Sequence, residues 1–386
     1  MEKFQFYSPT NIIFGEGAVQ HLAEQLNDHK KILLHYGGGS IKRSGLYDEV
    51  MEILNKAGIG VVELGGVEPN PKLDMVRKGI ELCQKEDVSF ILAVGGGSVA
   101  DSAKAIAAGF LCGGDVWECF VGEREYENAL PVGVILTIPA TGSETSDASV
   151  ITNEDGLYKR SIGNDNLRPV FAIMDPELTL TLPDVQTFAG VVDIYSHVHE
   201  RYFTHTNNVS LTDNLCEATF KTVIENAYRL KEDTQDLAAR AEIMLTGTIA
   251  HNGILGLGRE EDWGSHRIGH EFSALYGTTH GISLAMIIPA WMKYVYKEDV
   301  DRFARYAVNV FGVPTEGKTQ DEIALEGIDE FVKFLKRIDM PSTLSEGGYD
   351  DKDFDLIAEK CTQSGPVGSF KKLYKDDVLA ILEIAK

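Results

Sequence analysis

The chain has 386 residues, with 36 Lys and Arg against 59 Asp and Glu, for a formal net charge of −23. Such an acidic chain repels nucleic acid and anionic membranes, which argues against both as partners, while 44% apolar and 25% charged residues are ordinary for a globular chain of two or three domains. Five cysteines with no CxxC pair argue against a disulfide framework or thiolate zinc site; with no apolar signal core and no run of ~18 apolar residues, the expectation is a soluble cytoplasmic protein.

Along the chain, short apolar runs at 31–36, 60–64, 90–94 and 132–137 read as strands. Helical patterns at 47–57, 73–85 and 99–110 lie between them, so the first half predicts a parallel sheet covered on both faces. After about residue 185 the pattern turns helical, over 186–203, 211–230, 235–255, 266–275, 281–296, 300–310 and 320–338. The break at Leu182-Pro183 predicts an α/β dinucleotide-binding domain over 1–183 and an all-α metal-binding domain over 184–386.

Two of the strands run into one tetrapeptide, Gly37-Gly38-Gly39-Ser40 and Gly95-Gly96-Gly97-Ser98. Glycine admits phosphate oxygens to the backbone, and free N–H groups at a helix start favour an anion. A single loop of this kind is equally explained by tight turning, and Ser98-x-x-Asp101 has the form of a capping box. Two loops in one sheet favour a dinucleotide, although neither is the GxGxxG fingerprint. Ser40-Ile-Lys42-Arg43 follows the first loop with no acid close by for a ribose 2′-hydroxyl. Ser40, the loop N–H groups and Lys42 suit a 2′-phosphate, so NADP(H) is the expected cofactor; a solvated Lys-Arg pair is the alternative. Thr137-Ile-Pro-Ala-Thr141-Gly-Ser-Glu144 offers a third loop after another strand.

Seven of the ten histidines fall between 197 and 280, where even scattering would put about two. Asp193 and His197 share a helix face one turn apart; His266 and His270 repeat that spacing, and His280 stands at a helix start. A site of Asp193, His197, His266 and His280 combines one carboxylate with three imidazoles, a set that suits Fe(II) or Zn(II) and leaves room for a substrate oxygen. Either pair alone reads better as a surface or core pair. His270, not needed as a ligand, is the candidate for proton relay, with helix packing as the alternative.

These stretches resemble the iron-containing (group III) alcohol dehydrogenases, most nearly their NADPH-dependent butanol dehydrogenase and broad aldehyde reductase branch. The resemblance runs through Phe14-Gly-Glu-Gly-Ala, Tyr36-Gly-Gly-Gly-Ser-Ile-Lys-Arg-Ser-Gly, Ala93-Val-Gly-Gly-Gly-Ser-Val-Ala-Asp101, Gly190-Val-Val-Asp193-x-x-x-His197 and Asp262-Trp-x-x-His266-x-x-Gly-His270 through His280-Gly. It implies a dehydroquinate-synthase-like fold, with Asp193, His197, His266 and His280 on the metal. It also implies Gly38 and Ser40 near the adenosine ribose phosphate, Gly95, Gly96, Gly97 and Ser98 on the pyrophosphate, and Asn70, Asp101, Thr137, Thr141, Lys159 and Leu182 lining the cofactor. Ser146-Asp147 departs from the family's asparagine followed by a small residue, and His199 is additional. The implied activity is metal-dependent hydride transfer between NADP(H) and a short-chain alcohol or aldehyde, in a homodimer. Its rivals are a glycerol-dehydrogenase-like polyol dehydrogenase and a metal-dependent hydrolase without a redox cofactor.

Overall fold

The computed structural model describes residues 1–386 and contains two compact units, one of Tyr7–Pro183 and one of Met1–Phe6 with Asp184–Lys386. The first unit carries strands β1 (Asn11–Phe14), β2 (Lys31–Gly37), β3 (Gly60–Val67), β4 (Phe90–Gly96), β5 (Val132–Ile138), β6 (Ala148–Asn153), β7 (Tyr158–Gly163) and β8 (Phe171–Met174). Six of them form one parallel sheet in the order β1-β8-β5-β4-β2-β3, while β6 and β7 make an antiparallel hairpin. Every residue of β4 is buried, as a central strand covered on both faces requires. Its helices are α1 (Leu22–Gln25), α2 (Ser40–Arg43), α3 (Leu46–Lys56), α4 (Leu73–Glu86), α5 (Gly97–Leu111) and α6 (Val116–Phe120). The small, mostly apolar residues of α5 leave it buried on nearly all sides, Lys104 included.

Register puts the glycine loops together. Tyr36 of β2 lies opposite Val94 of β4, and Gly96 pairs with Ile138 of β5. The two Gly-Gly-Gly-Ser segments and the Thr137–Thr141 turn therefore leave one end of the sheet from three adjacent strands.

The second unit is built of α7 (Asp184–Tyr202), α8 (Ser210–Glu232), α9 (Leu237–His251), α10 (Gly264–Tyr276), α11 (His280–Val295), α12 (Val300–Phe311), α13 (Gln320–Arg337), α14 (Phe354–Cys361) and α15 (Lys375–Ala385). Its core is aromatic, with Tyr195, Tyr202, Phe203, Phe220, Phe303 and Trp291 fully buried. Helix α7 is buried continuously from Thr187 to Tyr202, so its polar residues have no water and must find partners inside the protein. No helix is long and apolar enough to cross a membrane.

Candidate active site

Helix α7 presents Asp193, and α10 and α11 bring His266 and His280 to it; one ligand atom from each lies within 4.8 Å of the others. The approach depends on Gly281, where any Cβ would collide with the backbone of Ala189 in α7. His280 Nε2 stands 3.7 Å from Asp193 Oδ1. His197 is beside this set rather than in it. Its Nδ1 donates to the Asp193 carbonyl at 2.8 Å, leaving Nε2 as the ring's other nitrogen, and its ring centroid is 4.9 Å from that of His266. Burial holds His197 well below the usual imidazole range, with His266 and Arg201 adding to the effect, so the ring is neutral and able to ligate.

His266 is oriented by a residue that spacing alone did not single out. Glu200, fully buried, lies with Oε1 2.6 Å from His266 Nδ1 and also accepts from the His266 N–H at 3.1 Å, the Trp263 N–H at 2.7 Å and the Ser265 hydroxyl. A carboxylate on Nδ1 fixes the proton there and leaves Nε2 with its lone pair. Asp193, His197 and Glu200 occupy positions i, i+4 and i+7, one face of α7, and that spacing was the signal available for Glu200. Trp263, held at φ 67°, packs edge-on against the rings of His197 and His266. Asp262 accepts from the N–H groups of Ser369, Phe370 and Gly264 and is pushed up to about 7 by burial, Glu200 adding to it.

His270, one turn along α10, has its ring centroid 5.1 Å from that of His280 and 6.3 Å from that of His266. His199 is elsewhere: fully buried against Phe203 and Trp291, it hydrogen-bonds through neither ring nitrogen, and burial pushes it down to about 4. His251, one of the seven clustered histidines but with no second histidine or acid at helical spacing in the sequence, lies with its ring 4.3 Å from that of His197.

In the first unit the second glycine loop is close-packed. A Cβ at Gly97 would strike Thr141, and one at Gly96 would lie 2.8 Å from Ile138, so these glycines are needed for the turn itself. They also leave the start of the 15-residue α5 with bare backbone N–H groups. The capping box does not form: the cap of α5 is Gly96, and Asp101 instead accepts from the Ser143 hydroxyl at 2.5 Å and the Val150 N–H at 3.2 Å. Lys104, one turn on, donates to Ser143 Oγ, to the carbonyl and hydroxyl of Ser146 and to the Ala148 carbonyl, and burial pushes it down to about 8. The departure at Ser146 is thus absorbed into a clamp that fixes the segment after Thr141.

Two other residues implied by resemblance meet directly. Lys159 of β7 donates to Asn70 Oδ1 at 2.8 Å, and Asn70 sits at φ 55°. Thr137 lies at the end of β5, and the Thr141 hydroxyl accepts from the Ser143 N–H at 3.2 Å. Leu182 closes a turn onto the Thr179 carbonyl. The first loop is the open one: nothing stands within 4 Å of a Cβ built on Gly38, and Ser40 is exposed. The acid that appeared absent near Lys42 arrives from the neighbouring strand, where Glu63 Oε2 lies 4.0 Å from its ammonium.

The model of the iron-containing alcohol dehydrogenase family matches residues 9–176, and that of the Fe-containing alcohol dehydrogenase C-terminal region matches 187–386. The chain is 46% identical to the probable NADH-dependent butanol dehydrogenase 1 of Bacillus subtilis (strain 168), over 99% of each chain. It is 36% identical to the NADPH-dependent aldehyde reductase YqhD of Escherichia coli (strain K12), over 95% of this chain and 94% of that one. Its fold matches the crystal structure of NADH-dependent butanol dehydrogenase A from Thermotoga maritima with a TM-score of 0.96 and 41% identity, covering 100% of this chain and 99% of that one.

Proposed function

The chain belongs to the iron-containing alcohol dehydrogenase family, and on that premise we propose that it interconverts short-chain alcohols and aldehydes of the butanol and butanal type, with NADP(H) as cofactor and Fe(II) or Zn(II) as metal. The observation that carries the reading is the convergence of Asp193, His266 and His280 in a buried setting. A carboxylate beside imidazoles is a donor set for a divalent ion, and His197 is the fourth ligand of the proposal. When bound, the ion supplies a Lewis acid for the carbonyl oxygen and the nicotinamide supplies the hydride.

The protein's own residues do the rest. Glu200 holds His266 in the ligating tautomer. His270, with its ring 5.1 Å from that of His280, is the proton relay of the proposal, passing a proton to or from the alcohol oxygen. Backbone N–H groups of Gly96, Gly97 and Ser98 at the head of α5, which has no side-chain cap, meet the pyrophosphate, and Ser40 and Lys42 beside the open first loop meet the 2′-phosphate. Cysteines that are few and buried, five in the whole chain, fit a cytoplasmic location. The edge strand β1, with Ile12 and Phe14 exposed, favours a homodimer as its cover.

The test is one assay of the purified protein with butanal, NADPH against NADH, before and after chelation and after return of Fe(II) or Zn(II). Turnover is expected to disappear with the metal and return with it, with NADPH the better reductant. A faster NADH rate would remove the cofactor assignment. His270→Ala with an unchanged pH–turnover profile would remove the relay.

A further inference from the structure

A side-chain cluster flanks the first glycine loop. Tyr36, near the end of β2, and Tyr47 of α3 each donate a hydroxyl to Glu63 of the edge strand β3, one to each carboxylate oxygen and both at 2.9 Å. Lys42 of α2 lies over the two rings, 4.4 Å from the Tyr47 centroid and 5.0 Å from that of Tyr36, with Nζ 4.0 Å from Glu63. Sequence details shape this arrangement. A Cβ at Gly65 would stand 2.5 Å from the Tyr36 ring, so only a bare backbone lets that ring lie against β3. The charged ends nonetheless face water, Lys42 being 48% and Glu63 39% exposed.

In an open parallel sheet ligands gather beyond the carboxyl ends of the strands, and pyrophosphate goes to the glycine turn that opens a helix. Here that turn precedes α5. Strand β2 is the next strand toward β3, so the adenosine ribose falls at the end of β2, beside Ser40, Lys42 and this cluster. A carboxylate at that position accepts from a 2′-hydroxyl and repels a 2′-phosphate, whereas an ammonium does the opposite.

We propose that Glu63 is a specificity-determining residue for the cofactor: pinned by two tyrosine hydroxyls, it offsets Lys42 and holds down the advantage of a 2′-phosphate over a 2′-hydroxyl. The inference rests on the assignment of Ser40 and Lys42 to the 2′ position made above. It makes discrimination between NADPH and NADH the net result of two opposed side chains rather than of Lys42 alone.

Competition binding tests it on the intact protein, with 2′,5′-ADP and ADP as probes and displacement of NADPH fluorescence as the readout. Glu63→Gln keeps the size and a hydroxyl acceptor but removes the charge. It is expected to raise the ratio of 2′,5′-ADP affinity to ADP affinity about fivefold, the effect of one unit charge at about 4 Å in a high dielectric. Lys42→Met is expected to lower the ratio, with ADP affinity little changed in either variant. An unchanged ratio in Glu63→Gln, with both probes bound, would overturn the role of Glu63 and leave the cofactor assignment standing. Failure of the wild-type protein to bind either probe would overturn the cofactor assignment and this inference together.

Discussion

Two buried histidines show what fixes an imidazole's state, a hydrogen-bonded carboxylate in one and burial in the other. Glu200 takes Nδ1 of His266 and so leaves Nε2 to serve the proposed metal. Replacing it with Gln removes the charge that holds the tautomer, and metal affinity is expected to fall about 10- to 100-fold in a chelator competition measurement; an unchanged affinity would reduce Glu200 to packing. His35 has no site to serve. Its ring, fully buried, lies between the Leu64 carbonyl on Nδ1 and the Ser102 hydroxyl on Nε2, both at 2.8 Å, and burial pushes it down to about 4. Its folded value lies below the unfolded one near 6.5, so its contribution is fully present above pH 6.5. As the pH falls from 6.5 toward 4, only the unfolded chain takes up the proton and stability is lost. The loss attributable to His35 amounts to about 2 kcal/mol by pH 5. His35→Gln is therefore expected to flatten the drop in urea-unfolding free energy between pH 7.5 and pH 5 by about that amount, whatever its effect at pH 7.5.

At the scale of elements, α5 is tied to the segment after Thr141 by charge as well as by packing. Lys104 and Asp101 lie one turn apart on it and meet Ser143, Ser146, Ala148 and Val150. Lys104→Met would leave the buried acceptors of Ser143, Ser146 and Ala148 without their donor, so urea denaturation is expected to show a loss of about 2–3 kcal/mol; a loss below about 1 kcal/mol would mean water already reaches these groups. Elements with strong periodicity were the ones legible in the sequence. Strands β2 to β5 and helices α7 to α13 lie within a few residues of their expected positions, because long apolar runs and helical repeats report burial directly. The four-residue β1 and β8 are too short to show a period, and the β6–β7 hairpin has partly buried residues on both faces. The first six residues fall with the helical unit, a tertiary fact with no local mark. Asp193, His266 and His280 converge, but the i, i+4 spacing marked pairs whose second members, His197 and His270, lie beside that set, so helical spacing located the region and not the compact group. Glu63 was not legible, because it reaches Lys42 through pairing between strands, and that pairing is not local in the sequence.

For the whole molecule, the net charge of −23 sets an opposing field for any anionic cofactor. Binding must then come from local groups, which here are the backbone at the head of α5 and the few polar side chains around the first loop. The same field disfavours anionic substrates and leaves small neutral aldehydes unhindered. Within this acidic chain the buried Asp193 is surrounded by imidazoles and lies near Glu200 and Asp262, both themselves buried carboxyl groups pushed up by burial. The divalent cation of the proposed function would be the element around which these polar groups are organised. The most direct test is metal content per chain, measured by elemental analysis on the wild-type protein and on Asp193→Ala and His280→Ala after dialysis against excess Fe(II) or Zn(II). The account predicts close to one ion per chain in the wild type and loss of most of it in both variants. Full metal content in either variant, or none in the wild type, would contradict it.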